Sequence, residues 1–300
     1  MMARILILMT AVFYLGLASG CAMLGKCPWW GATSPRPPVV LAQNASLDDV
    51  IAAVNNNNAK KQRFLANDAR INIEGVPVSL NGNIAYVYPR KLRVQGGTIL
   101  TSNEFDIGSN DELFWVWIKQ DQRMYFSRHD QYEFSPARDS FSIDPYWLIE
   151  SMGVTVFQPP QLEQHQLSNR TAEGHWKIAT TRQTPAGVYT KYTTVDGKTA
   201  CVLMQELFNP SGKLVASAAS RNHALDTTTG ITYPETVDML FSMQDRQIAM
   251  RLSMGRVQFN PSSPFNADTF TRPNYPDTTL VDISGQSGNP VIQQVSGSIP

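Results

Sequence analysis

From Ala69 to Asn260 apolar residues recur at every second position in short runs, and turn residues break the runs apart. A period of two puts alternate side chains on opposite faces of a strand, so the pattern commits most of the chain to β-sheet. Ile71, Ile73, Val76, Val78 and Leu80 precede Asn81-Gly82-Asn83, after which Ile84, Tyr86 and Tyr88 share one face. Asn-Gly between alternating runs predicts a hairpin turn. Val188 to Val195, Asp196-Gly197, then Thr199 to Leu207 predicts a second hairpin, with positive φ at Gly197 in a type I′ turn. Asn209-Pro210-Ser211-Gly212 turns the chain into Leu214 to Ser220, and Tyr233 to Met243 and Ile248 to Phe259 complete the series. Leu113 to Ile118 is apolar on both faces, which predicts a central, covered strand. About ten strands joined by short turns make one strongly curved antiparallel sheet, a mainly β fold with helices.

Two helices interrupt the strands. Ser46 and Asp49 have the spacing of a capping box, and Leu47, Val50, Ile51 and Val54 form one apolar face. This helix is expected from Ser46 to about Asn67, weakened by the run Asn55 to Asn58 and resumed by Phe64-Leu65. In the second, Asp144 suits the N-cap, Pro145 the first helical position and Gly153 the position after the last turn. Tyr146, Trp147, Leu148, Ile149 and Met152 leave it apolar on nearly every side. Such a helix must be covered, and it would plug the concave side of a curved sheet.

The N-terminus carries an address. Arg4 follows two methionines and an alanine, Ile5 to Leu17 is almost wholly apolar, and Ala18-Ser19-Gly20 ends at Cys21. This describes a secretory signal, too short to span a membrane. The cysteine after small residues resembles a bacterial lipobox, which implies that Cys21 is acylated and becomes the mature N-terminus; the alternative is a plain cleaved signal with an incidental cysteine. Ala22 is not the aspartate associated with inner-membrane retention, so the expected site is the outer membrane, facing the periplasm. Residues 1–20 read as a lipoprotein signal peptide, 21–45 as a lipidated, Pro-rich tether, 46–283 as one domain and 284–300 as a disordered tail. Trp29-Trp30 in the tether either rests among lipid headgroups or covers a groove on the body. Cys27 and Cys201 are either a disulfide or two thiols.

The chain offers little chemistry. Its 25 basic and 25 acidic residues give a formal net charge of zero, without the basic footprint of a nucleic-acid binder. His129, His165, His175 and His223 are scattered, so no metal site is expected. Gly197-Lys198-Thr199 lacks the upstream glycine of a phosphate loop, where Tyr192 stands, and no Gly-x-Ser-x-Gly occurs. Asp48-Asp49 and Asp111-Glu112 sit in a cap and a turn. The expectation is a protein that is not an enzyme and has no cofactor.

The order of motifs carries more. The N-terminal helix is followed by Gly82-Asn83-Ile84 and Tyr88-Pro89-Arg90-Lys91-Leu92-Arg93-Val94. Asn110 to Trp117 comes next, then the Pro145 to Met152 helix, and finally Val257 to Pro261 with Phe265, Phe270 and Pro273. From about Leu47 to Pro276 this resembles the outer-membrane lipoprotein carrier and receptor family, with a LolA/LolB-like fold. The resemblance implies an unclosed β-barrel of about eleven strands covered by helices, with an apolar cavity for acyl chains. It places Ile84, Tyr86, Tyr88, Leu92 and Val94 on strands lining the cavity, with Trp115 and Trp117 as an aromatic pair. Trp147, Leu148 and Met152 would belong to a lid helix. Soluble carriers have an arginine where this chain has Tyr88, and an acylated N-terminus is closer to the membrane-held receptor. Two functions follow: a lipid or lipoprotein acyl chain is bound in the cavity, for trafficking to the outer membrane. Alternatively, side chains fill the cavity and the protein is an envelope scaffold or sensor for a protein partner.

Overall fold

The alternating segments form one 16-stranded sheet, described by the computed structural model over residues 34–101, 103–132, 135, 141, 145–243, 246–284 and 291–293. Cys21, Cys27, Trp29, Trp30 and Asp144 lie outside the described residues. The first meander runs through β1 (Arg63–Ile73), β2 (Leu80–Val87), β3 (Lys91–Gly97), β4 (Phe105–Ser109), β5 (Leu113–Ile118) and β6 (Arg123–Arg128). The second runs through β7 (Gln164–Arg170), β8 (Trp176–Thr184), β9 (Gly187–Val195), β10 (Val202–Phe208), β11 (Leu214–Asp226), β12 (Ile231–Met243) and β13 (Arg246–Ser253). β14 (Val257–Phe259), β15 (Thr279–Asp282) and β16 (Val291–Gln293) follow.

The two meanders join where β1 meets β13, with Ile71 opposite Leu252 and Ile73 opposite Met250. The order is β16-β15-β6-β5-β4-β3-β2-β1-β13-β12-β11-β10-β9-β8-β7, with β14 beside β1. β7 and β16 are the two edges, so the sheet is unclosed. It has more strands than the eleven expected, and it is mixed, because β15 runs parallel to β6.

Helices cover only part of it. α1 (Leu47–Ala59), α2 (His129–Tyr132) and α3 (Pro145–Ser151) are all short. The Ser46–Asp49 capping box forms in both directions, and Gly153 takes φ +94 just past α3. α1 stops well before Asn67, because Phe64 enters β1 opposite Tyr86 rather than extending the helical stripe. α1 buries Val50 and Val54 in a small cluster with Trp176, Ile178 and Val195. Leu41 joins that cluster, and the Val40 and Leu41 amides donate to the Lys198 carbonyl at 2.9 and 3.0 Å. Part of the expected tether therefore packs on the body.

One expected turn falls elsewhere, and a second is longer than expected. Asn81-Gly82-Asn83 lies inside β2, and the chain reverses earlier, between Ile73 and Leu80. Gly82 is needed for space: a Cβ there would stand 2.7 Å from Ile71 Cδ1, beside the bulge between Ala66 and Ala69. The turn after β9 runs from Asp196 to Cys201, and positive φ falls on Ala200, not Gly197. Asp196 Oδ1 shapes it by accepting from the amides of Lys198 and Thr199 at 2.9 and 2.7 Å. Gly197 still matters, because a Cβ would stand 2.3 Å from the Gly174 carbonyl oxygen.

Candidate functional site: the apolar layer beneath α3

Strand alternation sorts the expected residues by face. Ile84 and Tyr86 from β2, Leu92 and Val94 from β3, and Trp147, Leu148 and Met152 from α3 and its end all belong to one buried cluster. This is the inner face, which α3 covers. Phe64 and Tyr86 lie with ring centroids 5.1 Å apart, and burial pushes the Tyr86 phenol well above its ordinary value. Five methionines share the cluster: Met152, Met239, Met243, Met250 and Met254. Unbranched thioether chains fill irregular space and repack at low cost.

Three expected lining residues are elsewhere. Tyr88 is in the β2–β3 turn and 54 % exposed. Trp115 and Trp117 point to the outer face, because Phe114 and Val116 take the inward positions on β5. A doubly apolar strand does not reveal which of its faces points inward. Trp115 and Trp117 are instead covered by the segment before β15: Tyr275 stacks on Trp117 at 3.9 Å, and Trp117 Nε1 donates to Thr278 Oγ1 at 3.1 Å. Asp106 is the hub of that face. It accepts from Trp115 Nε1 at 3.2 Å, Gln95 Nε2 at 3.1 Å, Arg93 Nη2 at 2.5 Å and Tyr275 Oη at 2.6 Å. Burial and the Asp106 carboxylate push Tyr275 up to about 12.

α3 is fastened by polar groups at its C-terminal end. Lys191 Nζ on β9 donates to both Glu150 oxygens at 3.0 and 2.8 Å. Burial alone would lower the Lys191 ammonium, but Glu150 holds it above its ordinary value. Lys61 Nζ donates to the Gly153 carbonyl at 2.5 Å and to Asn58 Oδ1 at 2.9 Å. Asn55 clamps Phe157 in both directions, accepting from its amide at 2.9 Å and donating to its carbonyl at 3.0 Å. Asn58 Nδ2 donates to the Thr155 carbonyl. Asn57 does the same as Asn55 for Thr232, at 2.9 Å both ways. The asparagine run, poor for helix propensity, is what ties α1 to the chain leaving α3 and to β12.

A domain from Vibrio parahaemolyticus, a candidate outer membrane lipoprotein-sorting protein, superposes with a TM-score of 0.50 at 9% identity, over 74% of this chain and 95% of that one. The fold is LolA-like. A LolA superfamily protein from Nitrosomonas europaea matches with a TM-score of 0.49 and 11% identity, over 76% of this chain and 98% of that one. A DUF1329 family protein from Desulfovibrio piger gives 0.48 and 10%, over 74% and 97%. No family model and no curated protein matches the chain.

The LolA-like sheet carries a further feature that sequence reasoning missed. Ile99 and Leu100, in the β3–β4 turn, are 94 % and 95 % exposed. Thr98 Oγ1 holds the turn by accepting from the amides of Leu100 and Thr101 at 3.2 and 3.0 Å. Asn81 pairs with Gly97, so the β1–β2 turn with exposed Val76 and Val78 lies at the same end of the sheet. The signal was there to read: two bulky apolar residues between threonines where a turn should be polar. A separate cleft of about 580 Å3 opens between α1 and the edge strand β7, lined by Leu47, Ile51, Phe157 and His165 among others. Among the described residues no helix is long and apolar enough to cross a membrane, and no group of three or more His, Cys, Asp or Glu could hold a metal ion.

Proposed function

We propose that this chain is a non-enzymatic envelope lipoprotein, held to the outer membrane through Cys21 and facing the periplasm. It takes a lipid or lipoprotein acyl chain into the layer between α3 and the sheet and passes it to the bilayer. The observation that carries this reading is the layer itself, a broad apolar face closed by a seven-residue helix and rich in methionine. An acyl chain gains about 0.8 kcal/mol per buried CH2, so affinity needs little polar contact. The lipoprotein-sorting description of the Vibrio parahaemolyticus domain is consistent with such a cargo. The exposed Ile99-Leu100 tip suits the transfer step, since each side chain gains about 1.5–3 kcal/mol on leaving water.

The test has two parts. Native mass spectrometry of the purified protein is expected to find a co-purifying lipid. The double variant Ile99→Asp with Leu100→Asp is expected to keep its melting temperature, because both side chains are exposed, while losing the transfer of a bound acyl probe to vesicles. A protein that carries no lipid and binds no acyl probe refutes the reading. The scaffold alternative, with a protein partner, draws on the near-complete burial of Ile84, Tyr86, Leu92 and Leu148, which already fill the layer.

A further inference from the structure

Trp147 is 4 % exposed and faces Phe241 across the layer, with ring centroids 6.3 Å apart. Its Nε1–H is buried and, among the described residues, meets no acceptor. A buried donor without a partner is costly, and native proteins leave few of them. The polar groups nearest in sequence are committed. Ser151 Oγ donates to the Leu148 carbonyl at 2.7 Å and contacts Met239 Sδ at 3.2 Å. Both Glu150 oxygens are held by Lys191. Phenylalanine would supply an apolar ring here without the orphaned donor.

We infer that Trp147 Nε1 is the donor for a neutral carbonyl oxygen at the head of the bound acyl chain, as in an ester- or amide-linked acyl group. This rests on the acyl-binding reading and names the chemical class of its ligand. A carboxylate fits poorly: a charge buried in this layer needs a cation, and Lys191, which faces the lid, is already paired with Glu150. The carbonyl of an acyl ester or amide carries no charge and asks for one donor. Trp147 supplies it, and the methionine side chains around it give way to the chain.

The test compares probes of equal chain length, about 16 carbons, on the full chain: a fatty-acid methyl ester, the matching alkane and the free fatty acid. Each is measured by displacement of a fluorescent apolar probe. Two variants remove the N–H: replacement of Trp147 by the sulfur isostere benzothienylalanine, which keeps the ring shape, and Trp147→Phe, which also shortens the ring system. The wild type is expected to bind the ester about tenfold more tightly than the alkane, and the ratio to fall to near one in both variants. An unchanged ratio overturns the inference while acyl binding stands. A charged free acid held as tightly as the ester overturns the assignment to a neutral carbonyl. If the wild type binds none of the probes, the acyl-binding reading itself fails, and the inference with it.

Discussion

Lys61 is 2 % exposed and, among the described residues, is held by the Gly153 carbonyl and Asn58 Oδ1, with no carboxylate. Burial lowers its amine to about 7, with Cys201 acting weakly in the other direction. His223 and Tyr233 line the same pocket, and burial lowers His223 to about 4, leaving it neutral at pH 7. A lysine whose folded value lies below its unfolded value of about 10.5 sheds its proton first in the folded state. The unfolded chain then binds more protons, so stability rises as pH increases above about 7 and is reduced below it. Between about pH 7 and about 9 the urea midpoint of the wild type is expected to climb relative to that of Lys61→Met, by up to a few kcal/mol in stability. Parallel profiles for the two proteins would remove Lys61 as the cause.

Among the elements, α1 contributes less through its own helicity than through its asparagines. The capping box is worth about 1 kcal/mol, which is modest beside the clamps. Asn55 satisfies both the amide and the carbonyl of Phe157. Asn55→Leu would raise the helix propensity of α1 and leave those two backbone groups without partners. The expected net effect is a loss of about 2–4 kcal/mol in chemical denaturation, opposite in sign to the propensity change. A stabilised variant would mean that water replaces the clamp freely. The same trade explains why the asparagine run looks like a defect in the sequence: its partners are 97 to 175 residues away.

At the scale of the whole molecule, the sheet is a two-faced sheet with a different cover on each side. α1 and α3 lie over part of the inner face, and the segment before β15, from Asn260 to Thr278, crosses part of the outer face through Asp106, Trp117 and Tyr275. Asp106→Ala would leave Arg93 and Trp115 without their shared acceptor. It is expected to cost about 3–5 kcal/mol and to make the segment near Tyr275 the first site cut in limited proteolysis. Uniform cleavage across the chain would argue against this strap. What the sequence determined by itself was local: the alternation that makes strands, the Ser46–Asp49 cap, the Pro145 and Gly153 limits of α3, and the order of motifs that resembles the LolA/LolB family. Periodicity of two and cap chemistry are set by neighbours in the chain, so they can be read from it. Facing, register and cover were decided only in three dimensions. Gly82 sits mid-strand because Ile71 occupies the space above it, Trp115 and Trp117 face outward because Phe114 and Val116 face inward, and the orphaned donor of Trp147 exists only once the layer has closed around it. Each of those depends on which distant strand becomes a neighbour, and no run of adjacent residues encodes that choice.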